Sequence, residues 1–320
     1  MLDFVGKRYW YFLFSALIIV PGIISLLIPP ALKPGIEFTS GSTMTLHFEQ
    51  PVEQSQLREE YQKLGHGDAI IQRTGDNYLV RTRTLASEER DASGNTVRPA
   101  ERQQLEGALR DRFGNLEVLD FYSVSPIIAS EIVRNAALAV VAASLGILLY
   151  ITWAFRKVSN PFRYGVCALV ALLHDVLVVV GIFSILGKLF NIEVDSMFIT
   201  ALLTVIGFSV HDTIVVFDRI RENLRKGVAA DFGSVVNYSI LQTLGRSLNT
   251  SLTVVFTLLA LFLFGGVTIR TFVLVLLIGI ISGTYSSIFN ASQLLVVWEN
   301  GELASLFRLI QPRQAAVRKG

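Results

Sequence analysis

The stretch Met197 to Phe217 reads MFITALLTVIGFSVHDTIVVF, and its reading decides the fold. Apart from His211 and Asp212 it is apolar or small enough to cross a bilayer, which takes roughly 20 residues at a rise of 1.5 Å each. An ionisable side chain inside a span costs free energy, so it faces a protein interior or water and marks a path for ions or substrate. This helix is therefore the first place to look for function.

Runs of similar character lie at about Tyr9 to Ile28, Asn135 to Phe155, Tyr164 to Leu186, Leu248 to Phe264 and Phe272 to Trp298. Hydrophobic residues make up 52% of the chain and charged ones 17%, more apolar surface than a soluble protein of 320 residues could hide. The class is a polytopic α-helical membrane protein with six transmembrane helices. Its expected divisions are 1–32 for the N-terminus and first helix, 33–134 for a domain outside the membrane, 135–298 for the other five helices and 299–320 for a tail.

Lysine and arginine set the orientation. Fourteen of them fall at the N-terminus, in the second-to-third and fourth-to-fifth connections and in the tail, whereas the two short opposite connections hold only Lys188 and Arg270. By the positive-inside rule both termini are cytoplasmic and 33–134 is extracytoplasmic. The first apolar run is too long for a signal-peptide core and leads into Pro29-Pro30, so it reads as an uncleaved anchor. Cys167, the only cysteine, falls in the third span, which leaves the outer domain to be held by its own core. That domain carries twelve basic and sixteen acidic residues and offers no nucleic-acid footprint.

Within the outer domain Thr43 to Glu49 alternates as a strand, and Val52 to Leu64 has helical spacing until Gly65 and Gly67 stop it. Ala69 to Thr74 and Asn77 to Thr84 read as strands joined by a Gly75-Asp76 turn, Pro99 to Phe113 as a polar helix ended by Gly114, and Leu116 to Val124 as a strand. The order βαββαβ is the ferredoxin-like pattern of an α+β domain. Ala86 to Arg98, with Ser93-Gly94-Asn95, reads as a mobile loop. His47 and His66 are isolated, so no nucleophile, metal or cofactor site is expected there.

Polar stripes mark the membrane half. Arg246, Asn249, Thr250, Thr253 and Thr257 share one face of the fifth span, and Gly279, Gly283, Ser286, Asn290 and Gln293 one face of the sixth. Thr204, Ser209 and Asp212 read as one sector of the fourth, and the third offers His174-Asp175. Helix packing accounts for the sixth-span stripe, but a carboxylate in the middle of a span does not read as packing. Arg246 is the natural counter-charge for Asp212, and burial against that attraction brings protonation within reach of cellular pH. The segment 218–246 reads as cytoplasmic and amphipathic, with Gly227 ending one helix and Asp231 capping the next, lying along the membrane surface.

The segment Gly207 to Asn223 resembles the fourth-span signature of the F-subunit branch of the SecD/SecF protein-export family, itself a branch of the resistance-nodulation-division (RND) transporters, and Leu244 to Thr253 resembles that family's fifth-span start. The resemblance covers nearly the whole chain. Gly35-Ile36-Glu37-Phe38-Thr39-Ser40-Gly41 departs from the family's Gly-Ile-Asp-Phe-x-Gly-Gly, Val124 to Ile132 departs from its Val-Gly-Pro-x-x-Gly-x-Glu-Leu, and His211 stands where Asn is frequent. What the resemblance implies is a subunit of a bacterial inner (cell) membrane that pairs with SecD, works beside the SecYEG channel and uses proton flow, with protons as coupling ion and no other cofactor, to draw translocating polypeptides outward. It ties Asp212 and Arg246 to proton conduction, together with an aspartate supplied by SecD; the residues' own pattern adds Asp175, His211, Asn249 and Thr250 as supporting polar membrane residues. Two other classes are weighed: an RND-type proton-coupled exporter of a small molecule or lipid, which would call for a duplicated chain or larger outer domains, and a membrane enzyme, which would call for a nucleophile or metal set.

Overall fold

The computed structural model describes residues 2–90, 96–98, 100–266 and 269–302. The chain divides into two compact units, one spanning Pro34–Ala137 and the other made of residues 1–33 together with the chain from Leu138 onward.

Along the chain, α1 (Arg8–Leu27) comes first. The 34–137 unit then begins with a single turn, α2 (Ile36–Thr39), and β1 (Gly41–Phe48). It continues through α3 (Gln54–Lys63), β2 (Ile70–Thr74), β3 (Asn77–Thr82), a short pair β4 (Glu89–Arg90) and β5 (Thr96–Arg98), α4 (Glu101–Phe113) and β6 (Leu116–Val124). Four strands form one antiparallel sheet in the order β2-β3-β1-β6. Alternation along β1 places Met44, Leu46 and Phe48 on the buried face, where Leu57 and Tyr61 of α3 and Leu105 and Leu109 of α4 join them. Each such side chain contributes roughly 1.5–3 kcal/mol on burial, which gives this unit a core without a disulfide.

Two details differ from the sequence reading. Ala86 to Arg98 is not all loop: β4 and β5 pair antiparallel within it, while Ser93-Gly94-Asn95 lies outside the described residues. Charged and polar strand residues carry no apolar alternation, so such a pair is invisible to pattern. The second difference is in the departed Gly-Gly motif. Ser40, where the family's pattern has glycine, adopts φ +63° and ψ 168°, a region open almost only to glycine. Gly41 follows at φ +131°, and a Cβ there would lie 2.7 Å from the Thr82 carbonyl oxygen.

The helices resume with α5 (Pro126–Ala154), α6 (Pro161–Phe190), α7 (Ser196–Lys226), α8 (Phe232–Phe264) and α9 (Arg270–Ser286), which passes through a π-helical turn at Ser287–Ala291 into α10 (Ser292–Glu299). Six of the described helical segments, with α9 through α10 taken as one, are long and apolar enough to cross a membrane. Small residues set their closest approaches. A Cβ built on Gly22 of α1 would lie 2.8 Å from the Gly181 Cα of α6, and one built on Gly279 of α9 would lie 2.2 Å from a Val205 methyl of α7. The Lys188 ammonium donates to the Ser25 and Ile28 carbonyls that end α1, where positive charge also favours the helix dipole. At the other end Arg8 pairs with Glu302 at 2.7 Å, so the start of α1 and the end of α10 lie together, as an even number of crossings requires.

The segment 218–246 is not a separate pair of surface helices. Gly227 does end a helix, with φ +64°, and the Asp231 carboxylate does accept from the Ser234 N–H at 2.7 Å. Those helices are, however, α7 and α8 themselves, running on unbroken beyond their apolar parts. Hydropathy marks only the part of a helix that can sit in hydrocarbon; the caps, not the polarity change, mark where it ends.

Candidate functional site

Asp212 is buried in the middle of α7, with 2% of its surface exposed. Its Oδ2 has no hydrogen-bond partner among the described residues, and the same holds for the buried Ser247 hydroxyl of α8 and the side-chain amide of Gln293 in α10. His211 and Ser251 stand beside its carboxylate. The His211 Nδ1 stands 3.8 Å from Oδ1, and that imidazole is 63% exposed. A buried carboxylate with an oxygen to spare has room for a proton, which a fully bonded one lacks.

The expected Asp212–Arg246 contact is not formed: among the described residues no ion pair joins them. Arg246 is exposed and borders a cleft of about 460 Å³ between α7 and α8, shared with Asp218, Arg219, Glu222 and Gln242. The reason is directional. Arg246, Asn249, Thr250, Thr253 and Thr257 do share one face of α8, and that face is exposed, while Ser247 and Ser251 hold the face turned inward. Thr250 and Thr257 donate back to the Arg246 and Thr253 carbonyls at 2.9 Å, so those hydroxyls are satisfied within the helix. Thr204 is likewise exposed and bonded to the Thr200 carbonyl, which removes it from the Ser209–Asp212 sector.

The other buried acid among the described residues is Asp175 of α6, 1% exposed. Its Oδ1 accepts from His174 Nδ1 at 3.0 Å and from Ser282 of α9 at 2.7 Å; its Oδ2 accepts from Ser209 of α7 at 2.5 Å and from Ser286 of α9 at 2.7 Å. Four donors fill the lone-pair positions of a carboxylate, so Asp175 ties three helices together. From the other side of His174, Nε2 meets the Ser15 hydroxyl of α1 at 3.1 Å, and Ser15 meets the Asn290 amide at 2.9 Å. The sequence singled out His174-Asp175, Ser209 and Ser286 separately but not Ser282, which looks like any small residue in an apolar helix. The sixth-span stripe packs closely at Gly279 and Gly283, as expected, and its polar members Ser286 and Asn290 also enter this network.

The family model for the C-terminal part of the protein export membrane proteins SecD/SecF matches residues 104–301, and the model for the SecD/SecF GG motif matches residues 30–52. The chain is 53% identical over 320 residues to the protein translocase subunit SecF of Thermobaculum terrenum, covering 99% of this chain and 100% of that protein.

The chain belongs to the SecF family.

A second SecF, from Anaerolinea thermophila, is 46% identical across 96% of this chain and 97% of its own length. Among solved structures, the crystal structure of SecDF from Thermus thermophilus, described as a translocon-associated membrane protein, superposes with a TM-score of 0.75 at 34% identity. That match covers 93% of this chain and 39% of that one, so this SecF-family chain spans about two fifths of a fused SecDF. The SecDF of Bacillus subtilis, 34% identical, shows the same proportion, with 94% of this chain matched to 38% of that protein.

Proposed function

We propose that this chain is the SecF subunit of a protein-export machine, pairing with a SecD subunit in a bacterial cell membrane and using the proton gradient to help draw polypeptides out through the SecYEG channel. Similarity to SecF proteins along the chain supports the subunit, and the SecDF relatives, about two fifths of whose length this chain matches, support the pairing. The observation that carries the proton step is the buried Asp212 carboxylate with its unpartnered oxygen, three residues from the Ser209 tie to Asp175.

On this reading both termini are cytoplasmic and the 34–137 unit is extracytoplasmic. That unit is ferredoxin-like, a reading supported by its strand order. Arg246, Asn249 and His211 sit on exposed helix faces, and within a bilayer such groups favour protein over lipid; SecD helices supply that protein. One charge crossing the field is worth roughly 2.3 kcal/mol per 100 mV, enough to reverse a modest two-state bias if Asp212 binds its proton differently in the two states. Arg246 then acts on Asp212 in a state where α7 and α8 have shifted. Co-expression tests the pairing: the chain alone should be poorly dispersed in detergent and the SecD complex monodisperse. Equal behaviour of the two preparations would remove the support that the exposed polar faces give.

A further inference from the structure

We propose that His174 is a second proton-binding site in the helical unit, separate from Asp212, in which Ser15 acts as a rotating relay between His174 and Asn290. As a carboxylate, Asp175 Oδ1 only accepts, and the 3.0 Å contact then places a proton on His174 Nδ1. Whether Nε2 also carries one is then decided by Ser15. Its hydroxyl has one hydrogen and two acceptors within reach, His174 Nε2 at 3.1 Å and Asn290 Oδ1 at 3.1 Å, while the Asn290 Nδ2 donates to it at 2.9 Å.

With His174 neutral, the Ser15 hydrogen is given to Nε2 and Asn290 Oδ1 is left over. When a proton is taken up at Nε2, the new N–H points at Ser15 Oγ, and the Ser15 hydrogen turns to Asn290 Oδ1. Every polar atom of the trio is then paired, and the imidazolium lies against the Asp175 carboxylate. No bond between heavy atoms forms or breaks; one proton is gained and one hydroxyl rotates. Few arrangements inside a helical bundle can change charge with so little rearrangement.

A cavity of about 700 Å³ between α1, α6 and the end of the sixth span, lined mostly by apolar side chains, is bordered by Ser15, His174 and Asn290. The groups facing the imidazole are few. Asp175 adjoins it on α6, Tyr285 of α9 stacks on it with ring centroids 6.3 Å apart, and Tyr9 of α1 borders the same cavity. From α7 the pair receives the Ser209 hydroxyl, and from the π-helical turn Asn290. The consequence is a charge-dependent tie on α1, the helix that leads directly into the 34–137 unit. As a coupling element the site rests on the proton-driven reading above; as a proton-binding site it does not.

The test uses the full chain in lipid bilayers with ¹⁵N-labelled histidine rings, observed by nuclear magnetic resonance from pH 8 to pH 5. His174→Gln assigns the signal; should that variant not fold, Ser15→Ala assigns it by moving the Nε2 resonance of this one histidine. The expected result is a change from one protonated ring nitrogen to two, and the change persists in Asp212→Asn. A His174 with one fixed form over the whole range overturns the site. Because no export is measured, that outcome is independent of whether Asp212→Asn abolishes gradient-driven export.

Discussion

Ser209 donates its hydroxyl hydrogen to Asp175 across the α6–α7 interface, and it does so three residues before Asp212 on the same helix. Any shift of α7 that follows a change of charge at Asp212 must therefore work against, or through, this bond. Ser209→Ala should cost about 1.5–3 kcal/mol, the usual worth of a hydrogen bond to a charged group. Asp175→Ala should cost more, because it strands His174, Ser282 and Ser286 together. Denaturant unfolding in detergent, followed by tryptophan fluorescence, gives both numbers; equal and negligible losses would mean that Asp175 is not the tie described.

The Ser40 backbone supplies a prediction of opposite sign. Left-handed φ costs a residue with a Cβ about 1–2 kcal/mol, and Ser40 holds φ +63°. Ser40→Gly should therefore stabilise the 34–137 unit by about 1 kcal/mol after the extra entropy of an unfolded glycine is subtracted. A loss of stability on thermal unfolding would show that the Ser40 side chain contributes more than its backbone strain removes.

Expressed alone from Gly35 to Val124, the sheet and its two helices should fold without metal, giving a mixed α and β circular dichroism spectrum unchanged by chelator. Its acid sensitivity should trace to Glu101. Burial opposes ionisation there, but the Ala86 N–H at 2.8 Å, the Arg83 guanidinium at 3.0 Å and His66 at 3.3 Å hold the Glu101 carboxyl below the usual carboxylate range. A lowered folded-state value means that stability is fully present above the unfolded carboxyl's titration and is lost as pH falls through the folded one. Glu101→Gln should flatten the stability profile below about pH 5; an unchanged profile would move the acid sensitivity elsewhere.

The exposed faces of α7 and α8 make a prediction about the partner. A Cβ on Gly207 meets nothing within 4 Å, so Gly207→Ala should leave the isolated chain as stable as before while weakening co-purification with SecD. Asn249→Leu should do the same. If either variant binds SecD as well as wild type does, that face is turned to lipid.

How much of this was legible beforehand depended on range. The six spans and the alternation of β1 follow from local hydropathy, and the Gly75, Gly114 and Gly227 stops from residues that tolerate positive φ. The continuation of α7 to Lys226 was not legible, because nothing in a polar helix distinguishes emergence from the membrane from a new element. The absence of a direct Asp212–Arg246 contact in this structure was not legible for want of direction: helical spacing groups Arg246 with Asn249 and Thr250 but does not say which face of α8 turns inward. Asp175 was visible as a carboxylate in a span, yet three of its four donors lie 34, 107 and 111 residues away, and part of the sixth-span stripe passes through a π-helical turn that shifts the face by one residue.

The central claim, that Asp212 takes up the proton that drives export, is tested most directly in vesicles carrying SecD with either the wild-type chain or Asp212→Asn. Export of a polypeptide is measured with the proton gradient intact and with it collapsed. The variant should assemble with SecD and match wild type without a gradient, yet lose essentially all of the gradient-dependent increment. Retention of the full increment would make Asp212 a packing residue and contradict the account.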